Sequence, residues 1–261
     1  PFPETDKFYD VPYGYADVKE TVPKGKIEEI TYTSQLTNKT HKALVQLPAN
    51  YSPDEKYPVL YLIHGENDTE NIWNDMSADQ IINNAIAFKM AKEMIVVMPN
   101  VIGDNDEDIV KDFGTDLKPA IEAKYSVAQG RHNNAVAGYG LGGRIALCIG
   151  LSLPEQVAYT GAFAPTSGAL PYDGGDGYFN NASFCVQEEY KETSFIMIQK
   201  GSSDDIAGNA PETYQQVLAD NGTKCLYLQM DGEHDNELFK AGLYNFIRRL
   251  FKYGNEDESI V

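Results

Sequence analysis

The chain has 261 residues and a mass of 28.9 kDa, a size at which α/β proteins often fold around one large core. Hydrophobic residues make up 42% of it and aromatic residues 11%, which excludes intrinsic disorder as the main state. Lys and Arg number 21 against 39 Asp and Glu, and the net charge of −18 repels nucleic-acid phosphates and anionic lipid headgroups. Neither nucleic acid nor a membrane is therefore an expected partner.

No run approaches the roughly 18 consecutive apolar residues of a membrane-spanning helix, and the first residues lack the basic and then apolar pattern of a signal peptide. We expect a mature chain or an excised domain. Five Asn-X-Ser/Thr triplets exceed the number expected by chance and favour a secreted, extracellular protein; they begin at Asn38, Asn50, Asn67, Asn181 and Asn221.

Hydrophobic periodicity predicts a hairpin followed by alternating strands and helices. Residues 1–25 contain four prolines and no period, so they are expected to be a leader or linker packed on a single domain of residues 26–261. Residues 26–34 and 41–47 alternate with a period of two and predict antiparallel strands. Further strands are predicted at 57–63, 94–98, 134–137, 157–163, 194–200 and 225–230, and helices at 77–92, 107–124, 142–151, 211–221 and 236–251. This order predicts a mostly parallel sheet with helices on both faces.

Two further stretches bear on a site. The loop at 169–183 is rich in Gly, Asp and Tyr, and it is either a wall over the site or a solvated surface loop. Cys148, Cys185 and Cys225 fit no zinc motif and no histidine has metal-ligand spacing, so we predict no metal site. They can form at most one disulfide, and buried reduced thiols are the favoured alternative.

A glycine-rich turn carries the clearest chemical signal. Residues 134–143 read NAVAGYGLGG, which is an apolar strand, a sharp turn and the start of a helix. This is the frame of the nucleophile elbow G-x-S-x-G, in which small residues on both sides allow one side chain to project above the sheet. The central position, however, is Gly140 and not a serine.

The other members of a catalytic triad follow in the expected order. GSSDD places Asp204 after a later strand, 64 residues beyond Gly140, and DGEHD places His234 a further 30 residues along, just before the last helix. Nucleophile, acid and histidine in that order are typical of α/β hydrolases.

With these residues the chain resembles carbohydrate esterase family 1, the feruloyl and acetyl-xylan esterases related to the esterase D group. The resemblance covers roughly residues 25–253 and rests on several motifs together: GKIEEITYTS, VQLPANYSPDEKYPVLYLIHG, the tryptophan in ENDTENIWND, YSVAQGRHNNAVAGYGLGG, GSSDD, DGEHD and LFKAGLYNFIRRLF. It implies an α/β-hydrolase fold with a mostly parallel central sheet and antiparallel strands at the N-terminus.

The resemblance also implies an activity and a set of site residues. Members are secreted serine esterases without a cofactor that cut hydroxycinnamoyl or acetyl groups from plant arabinoxylan, and they are often joined to xylanases or cellulosomal modules. Position 140 would hold the nucleophile, Asp204 would orient His234 as general base, and the N–H groups of Leu141 and Glu66 would form the oxyanion hole. Trp73 and Tyr139 would contact the substrate, although Trp73 is equally well placed to pack on the sheet edge.

Two departures from the family pattern predict an inactive domain. Loss of the nucleophile of a serine hydrolase costs about 10⁶ in kcat, or about 8 kcal/mol. In addition, the His-Gly pair is followed by Glu66-Asn67-Asp68, which puts acid beside the oxyanion donors. Two histories account for Gly140: natural loss in a pseudoenzyme, or a substitution made to trap a ligand. The competing functional class is a non-catalytic xylan-binding or interaction module on the esterase scaffold.

The remaining histidines are assigned structural roles. His64 is predicted to fix the loop after its strand, and His41 and His132 are predicted to be surface or turn residues.

Overall fold

One eight-stranded sheet organises residues 8–252, the part of the chain that the computed structural model describes. Its strands are β1 (Ile27–Thr33), β2 (Thr40–Gln46), β3 (Val59–Ile63), β4 (Ile95–Pro99), β5 (Asn134–Tyr139), β6 (Tyr159–Phe163), β7 (Phe195–Gly201) and β8 (Leu226–Met230). Their spatial order is β1-β2-β4-β3-β5-β6-β7-β8. β1 and β2 pair antiparallel, β2 runs antiparallel to β4, and all the other pairs are parallel.

Helices cover both faces of this sheet. They are α1 (Ile72–Asp75), α2 (Ala78–Ala87), α3 (Asp106–Asp112), α4 (Lys118–Lys124), α5 (Leu141–Ser152), α6 (Ala210–Asp220) and α7 (Asn236–Ile247). Apolar residues of α3 to α6 belong to the core on one face, and those of α1, α2 and α7 to the core on the other. The central strands β3, β4, β5 and β6 are buried along their whole length, which is why they read as continuous apolar runs.

The predicted α/β-hydrolase architecture is confirmed, with most boundaries shifted by one or two residues. The largest difference lies in the helix predicted at 107–124, because a π-helical turn at Phe113–Leu117 separates α3 from α4. The helix predicted at 77–92 ends earlier, at Ala87, and the helix predicted at 236–251 ends at Ile247.

Residues 8–25 contain turns but no helix or strand, and they lie against α2 and α7. Asn245 of α7 accepts a hydrogen bond from the Tyr9 N–H at 2.8 Å and donates one to the Tyr9 carbonyl at 3.0 Å. Asn84 of α2 donates to the Tyr15 and Asp17 carbonyls. The remainder of the predicted leader, residues 1–7, and the last residues of the predicted domain, 253–261, lie outside the described residues.

The described residues contain no disulfide. All three cysteines are free thiols, and Cys148 is buried. Within residues 8–252 no group of three or more His, Cys, Asp and Glu side chains could hold a metal ion. No helix in the same range is long and apolar enough to cross a bilayer.

Candidate functional site

The turn between β5 and α5 has the backbone geometry of a nucleophile elbow. Gly140 lies between the two elements with φ 55° and ψ −120°, in the left-handed region that strains any residue with a Cβ. A Cβ on Gly138 would lie 2.5 Å from the carbonyl carbon of Gly142, and one on Gly142 would lie 2.4 Å from the His64 carbonyl oxygen. Because both contacts are with backbone, the turn can form only with glycine at these two positions.

Asp204 and His234 are brought together by the loops that follow β7 and β8. His234 Nδ1 lies 2.8 Å from Asp204 Oδ2. The other carboxylate oxygen of Asp204 accepts the N–H groups of Ile206 at 3.0 Å and Ala207 at 2.8 Å, so the buried acid is held in one orientation. The Nδ1–H of His234 donates to this carboxylate, which leaves Nε2 as a proton acceptor.

Nε2 of His234 is directed at the elbow. A Cβ on Gly140 would lie 3.3 Å from this atom, so a hydroxyl on that Cβ would be within hydrogen-bonding reach. No hydroxyl of residues 8–252 forms a hydrogen bond with Nε2. The hydroxyl of Ser202 is instead 3.3 Å from Asp231. The structure thus brings the Asp204–His234 pair against position 140, where the residue has no side chain.

The two predicted oxyanion donors lie on adjoining loops. Leu141 is the first residue of α5, where the helix dipole favours negative charge, and Glu66 lies in the turn after β3. The loops are in contact, because a Cβ on Gly65 would lie 2.3 Å from the Tyr139 ring. Neither the Leu141 nor the Glu66 N–H has a hydrogen-bond partner among residues 8–252. The Glu66 side chain is exposed, so its charge is solvated.

A chain of contacts connects the turn after β3, which contains Asp68, to His234. The Tyr139 hydroxyl donates to the Asp68 carboxylate. The Tyr139 ring stacks on Phe239 with centroids 4.2 Å apart, and Phe239 in turn meets the His234 ring edge-on at 4.9 Å. Burial and the neighbouring Asp68 carboxylate raise the pKa of Tyr139, which keeps the hydroxyl protonated as a donor.

Removal of this donor should destabilise the fold. We expect Tyr139→Phe to lower the free energy of unfolding by about 1 to 3 kcal/mol, since the Asp68 carboxylate loses its charged hydrogen bond. Urea denaturation measures the change. Tyr178→Phe is the matched control, because the Tyr178 hydroxyl makes only a 3.5 Å contact with Ser152; an equal loss in both variants would contradict the role given to the Asp68 bond.

His64 fixes the loop after β3, in the way that the sequence predicts. Its Nδ1 donates to the Gly65 carbonyl at 2.7 Å, and its Nε2 accepts the Val101 N–H at 2.9 Å. The second bond requires a neutral ring, and burial lowers the pKa of His64 below the ordinary 6.5.

This burial predicts a pH dependence of stability. Because the unfolded chain binds a proton at His64 more readily than the folded chain does, stability should fall as the pH drops below about 6.5 toward the lower folded pKa. We expect a lower urea midpoint at pH 5.5 than at pH 7.5, and a smaller difference between the two in His64→Gln. An undiminished difference in the variant would assign the effect to other groups.

Trp73 is placed in the core and not on the substrate surface. It is 1% exposed, its indole N–H donates to the Ile63 carbonyl at 2.9 Å, and its ring meets Tyr139 and Phe163 edge-on. Its predicted substrate contact is therefore replaced by the packing alternative. Tyr139 is also buried, and its ring packs against Trp73 and Phe239.

The predicted surface position of His41 is wrong. It is 9% exposed on β2, stacked on Tyr32, with Nε2 3.5 Å from Asp104 and 3.9 Å from Asp112. The turn nearby in the sequence favours an exposed face, but α3 and the loop before it cover this strand end.

Two residues of the site carry no signal that sequence reasoning could use. Asp68 reads only as part of an acidic loop, and its pairing with Tyr139 joins positions 71 residues apart. Phe239 reads as one of several apolar residues of α7, and nothing in the sequence separates it from its neighbours.

Comparison with known proteins identifies the family of the chain. The Esterase family model, described as "Putative esterase", matches residues 34–246. The chain is 31% identical over 162 residues to an endo-1,4-beta-xylanase Y of Acetivibrio thermocellus, covering 57% of this chain and 15% of that protein. It is 32% identical over 160 residues to an endo-1,4-beta-xylanase/feruloyl esterase of Xylanibacter ruminicola, covering 55% of this chain and 22% of that protein. The chain thus spans less than a quarter of the length of these two relatives.

A solved structure matches over almost the whole chain. The CE1 ferulic acid esterase of Anaeromyces mucronatus is 31% identical, with a TM-score of 0.84, and the match covers 92% of this chain and 96% of that one. A second structure of that esterase is a complex with ferulic acid. Taken with the family match, these similarities show that the chain belongs to the esterase family and has the scaffold of the CE1 ferulic acid esterases.

Proposed function

We propose that this chain is a feruloyl-esterase-type domain of arabinoxylan degradation that binds its ester ligand without serine-esterase turnover. The ligand class is a feruloylated or acetylated xylan oligosaccharide. In an active domain of this type, His234 held by Asp204 takes the proton of the elbow serine as the serine oxygen attacks the ester carbonyl. The tetrahedral intermediate then breaks the C–O bond to the sugar, and the sugar oxygen leaves with the proton from His234. Water deprotonated by the same histidine hydrolyses the acyl-enzyme, which releases the acid and restores the serine. The Leu141 and Glu66 N–H groups would stabilise the oxyanion.

The observation that carries the proposal is the position of Gly140. Its backbone has a conformation that would strain any residue with a Cβ, as an elbow nucleophile is strained. A Cβ at this position would lie 3.3 Å from His234 Nε2, yet glycine supplies no hydroxyl. A preorganised oxyanion hole and binding alone retain only about 10³ to 10⁴ over the uncatalysed rate. The base and its acid remain in place, but the attacking atom is missing.

This arrangement favours binding of the ester ligand, without its hydrolysis, on the esterase scaffold. Calorimetric titration with a feruloylated xylo-oligosaccharide tests it, with hydrolysis of methyl ferulate and an aryl acetate measured in parallel. Binding with no hydrolysis supports the proposal. Hydrolysis at rates typical of serine esterases contradicts it, and so does absence of binding, which would leave only a scaffold or partner role.

The setting of the domain is part of the same proposal. We place it outside the cell, joined in its parent protein to xylanase or cellulosomal modules. The surplus of glycosylation triplets and the two much longer xylanase relatives support this setting. Detection of the chain in the secreted fraction of its source tests the location, and finding it only inside the cell would contradict it.

A further inference from the structure

A large open cleft lies beside the elbow, with a volume of about 810 Å³. Its walls are the start of α3, the first turns of α5 and the loop of residues 168–179. The cleft begins about one helical turn from the elbow, because Arg144, which lines it, follows Gly140 by four residues in α5 and its N–H donates to the Gly140 carbonyl at 3.1 Å. The N–H of Thr166, two residues before the loop wall, donates to the same carbonyl at 3.2 Å. A ligand whose ester bond lies at Gly140 would have to span about one helical turn, roughly 5 Å, to enter it.

The loop wall is a fixed structure. Its base is closed by two backbone bonds of 2.8 Å, from Tyr178 to Gly168 and from Phe179 to Ala169. Gly177 has φ 77°, and a Cβ there would lie 2.3 Å from the carbonyl carbon of Leu170, so only glycine fits this close approach.

Tyr172 stands on this wall as an ordered yet accessible aromatic ring. It is 47% exposed, and its backbone exchanges hydrogen bonds of 3.0 and 3.1 Å with Gly175 in a tight turn. The ring lies against the two glycines of that turn, since a Cβ on Gly175 or Gly174 would approach it to 2.9 or 3.2 Å. A ring that is held in place while half exposed is a preorganised platform for stacking.

The charges of the cleft cancel locally. Arg144 Nε lies 2.9 Å from Asp106 Oδ2, and Lys111 Nζ lies 2.8 Å from Glu107 Oε1. Because each cation of the wall is paired, and the whole chain carries −18, the cleft offers little attraction to an anionic ligand. Its mixed polar and aromatic lining and its size suit a neutral polyhydroxylated chain better than a planar acyl group, which fills a narrow apolar slot.

We infer that this cleft is the subsite for the sugar chain of the ligand, with Tyr172 as the ring on which a neutral pentose unit stacks. The inference rests on the proposed function and extends it by separating recognition of the sugar from recognition of the acyl group. Unesterified xylan oligomers should then bind through the cleft without any contact at Gly140.

Titration of the chain with unesterified xylotetraose tests the subsite. Tyr172→Ala should weaken binding about fivefold or more, whereas Tyr172→Phe, which keeps the ring, should stay within about twofold. Tyr13→Ala is the matched control, because Tyr13 is fully exposed but lines a separate cavity of about 270 Å³ between residues 12–19 and α2. Thermal melts of all three variants check that the fold is intact.

Each result decides the matter. Weaker binding of xylotetraose by Tyr172→Ala, with unchanged binding by Tyr172→Phe and Tyr13→Ala, supports the subsite. Equal affinity in Tyr172→Ala and the unaltered chain overturns it. Failure of the unaltered chain to bind xylotetraose also overturns it. A second arm uses Gly140→Ser: Tyr172→Ala should raise the KM for a feruloylated arabinoxylo-oligosaccharide and leave methyl ferulate kinetics unchanged. Since xylotetraose binding needs no nucleophile, failure of the subsite and failure of the proposed function give different results.

Discussion

Gly140→Ser should convert the chain into an esterase, raising kcat for methyl ferulate or an aryl acetate by about 10⁶. The hydroxyl would stand on a Cβ that lies 3.3 Å from His234 Nε2, and Asp204 already holds that imidazole in the required orientation. At about 1.36 kcal/mol for each factor of ten, the gain corresponds to about 8 kcal/mol of transition-state stabilisation.

The new side chain should also cost stability. Any residue with a Cβ at φ 55° and ψ −120° is strained by about 1 to 3 kcal/mol, so the variant should unfold at lower urea concentration than the unaltered chain. Gly140→Ala is the matched control, with the same backbone strain and no hydroxyl. It should lose the same stability and gain no activity.

An inactive Gly140→Ser variant would point to a second defect in the site. If Gly140→Ser folds, loses the expected stability and still fails to hydrolyse esters, then the nucleophile is not the only element missing. The turn of residues 66–68, with Glu66 beside the oxyanion donors, would then account for the inactivity.

In the Gly140→Ser variant, Asp204→Asn should reduce kcat about 10⁴-fold. An amide in place of the carboxylate can donate to Nδ1 and so favours the tautomer whose Nε2 carries a proton, which leaves no base for the serine. The carboxylate oxygen that accepts the Ile206 and Ala207 N–H groups is replaced by an equivalent amide oxygen, so the loop should keep its shape.

Measurement of ester hydrolysis by Gly140→Ser with and without Asp204→Asn gives this ratio directly. Asp231→Asn in the same background is the control, because Asp231 contacts Ser202 and not His234. Equal rates in the presence and absence of the Asp204→Asn substitution would show that another group orients the histidine.

The fold could be predicted from the sequence because its signals are local. The continuous apolar run that contains β3 ends at His64, and the glycines at 138 and 142 are required by contacts within a few residues of the elbow or with the neighbouring strand. The local sequence does not determine the position of Trp73, because a tryptophan close to the His-Gly loop is compatible with either a pocket or the core. Only the tertiary fold brings its ring edge-on to Tyr139, with the ring centroids 5.3 Å apart.

The acid and the histidine of the site were also predictable, since both follow strands that end at the same edge of the sheet. The bond between Asp68 and Tyr139, the stack with Phe239 and the acidic surroundings of His41 were not. Each of these contacts joins residues that are distant in the chain. A single Asp, Phe or His has no sequence pattern from which its contact partner could be predicted. The shape of the cleft at Tyr172 likewise depends on how a long loop closes over α5.

A test of the central claim, that this site lacks an attacking oxygen, is incubation of the unaltered chain with an organophosphonate probe followed by intact-mass and peptide mapping. Gly140→Ser serves as the positive control. The account predicts an adduct on position 140 in the variant and no adduct in the unaltered chain. An adduct in the unaltered chain on any other residue of the cleft would show that a nucleophile is present, and would contradict the account.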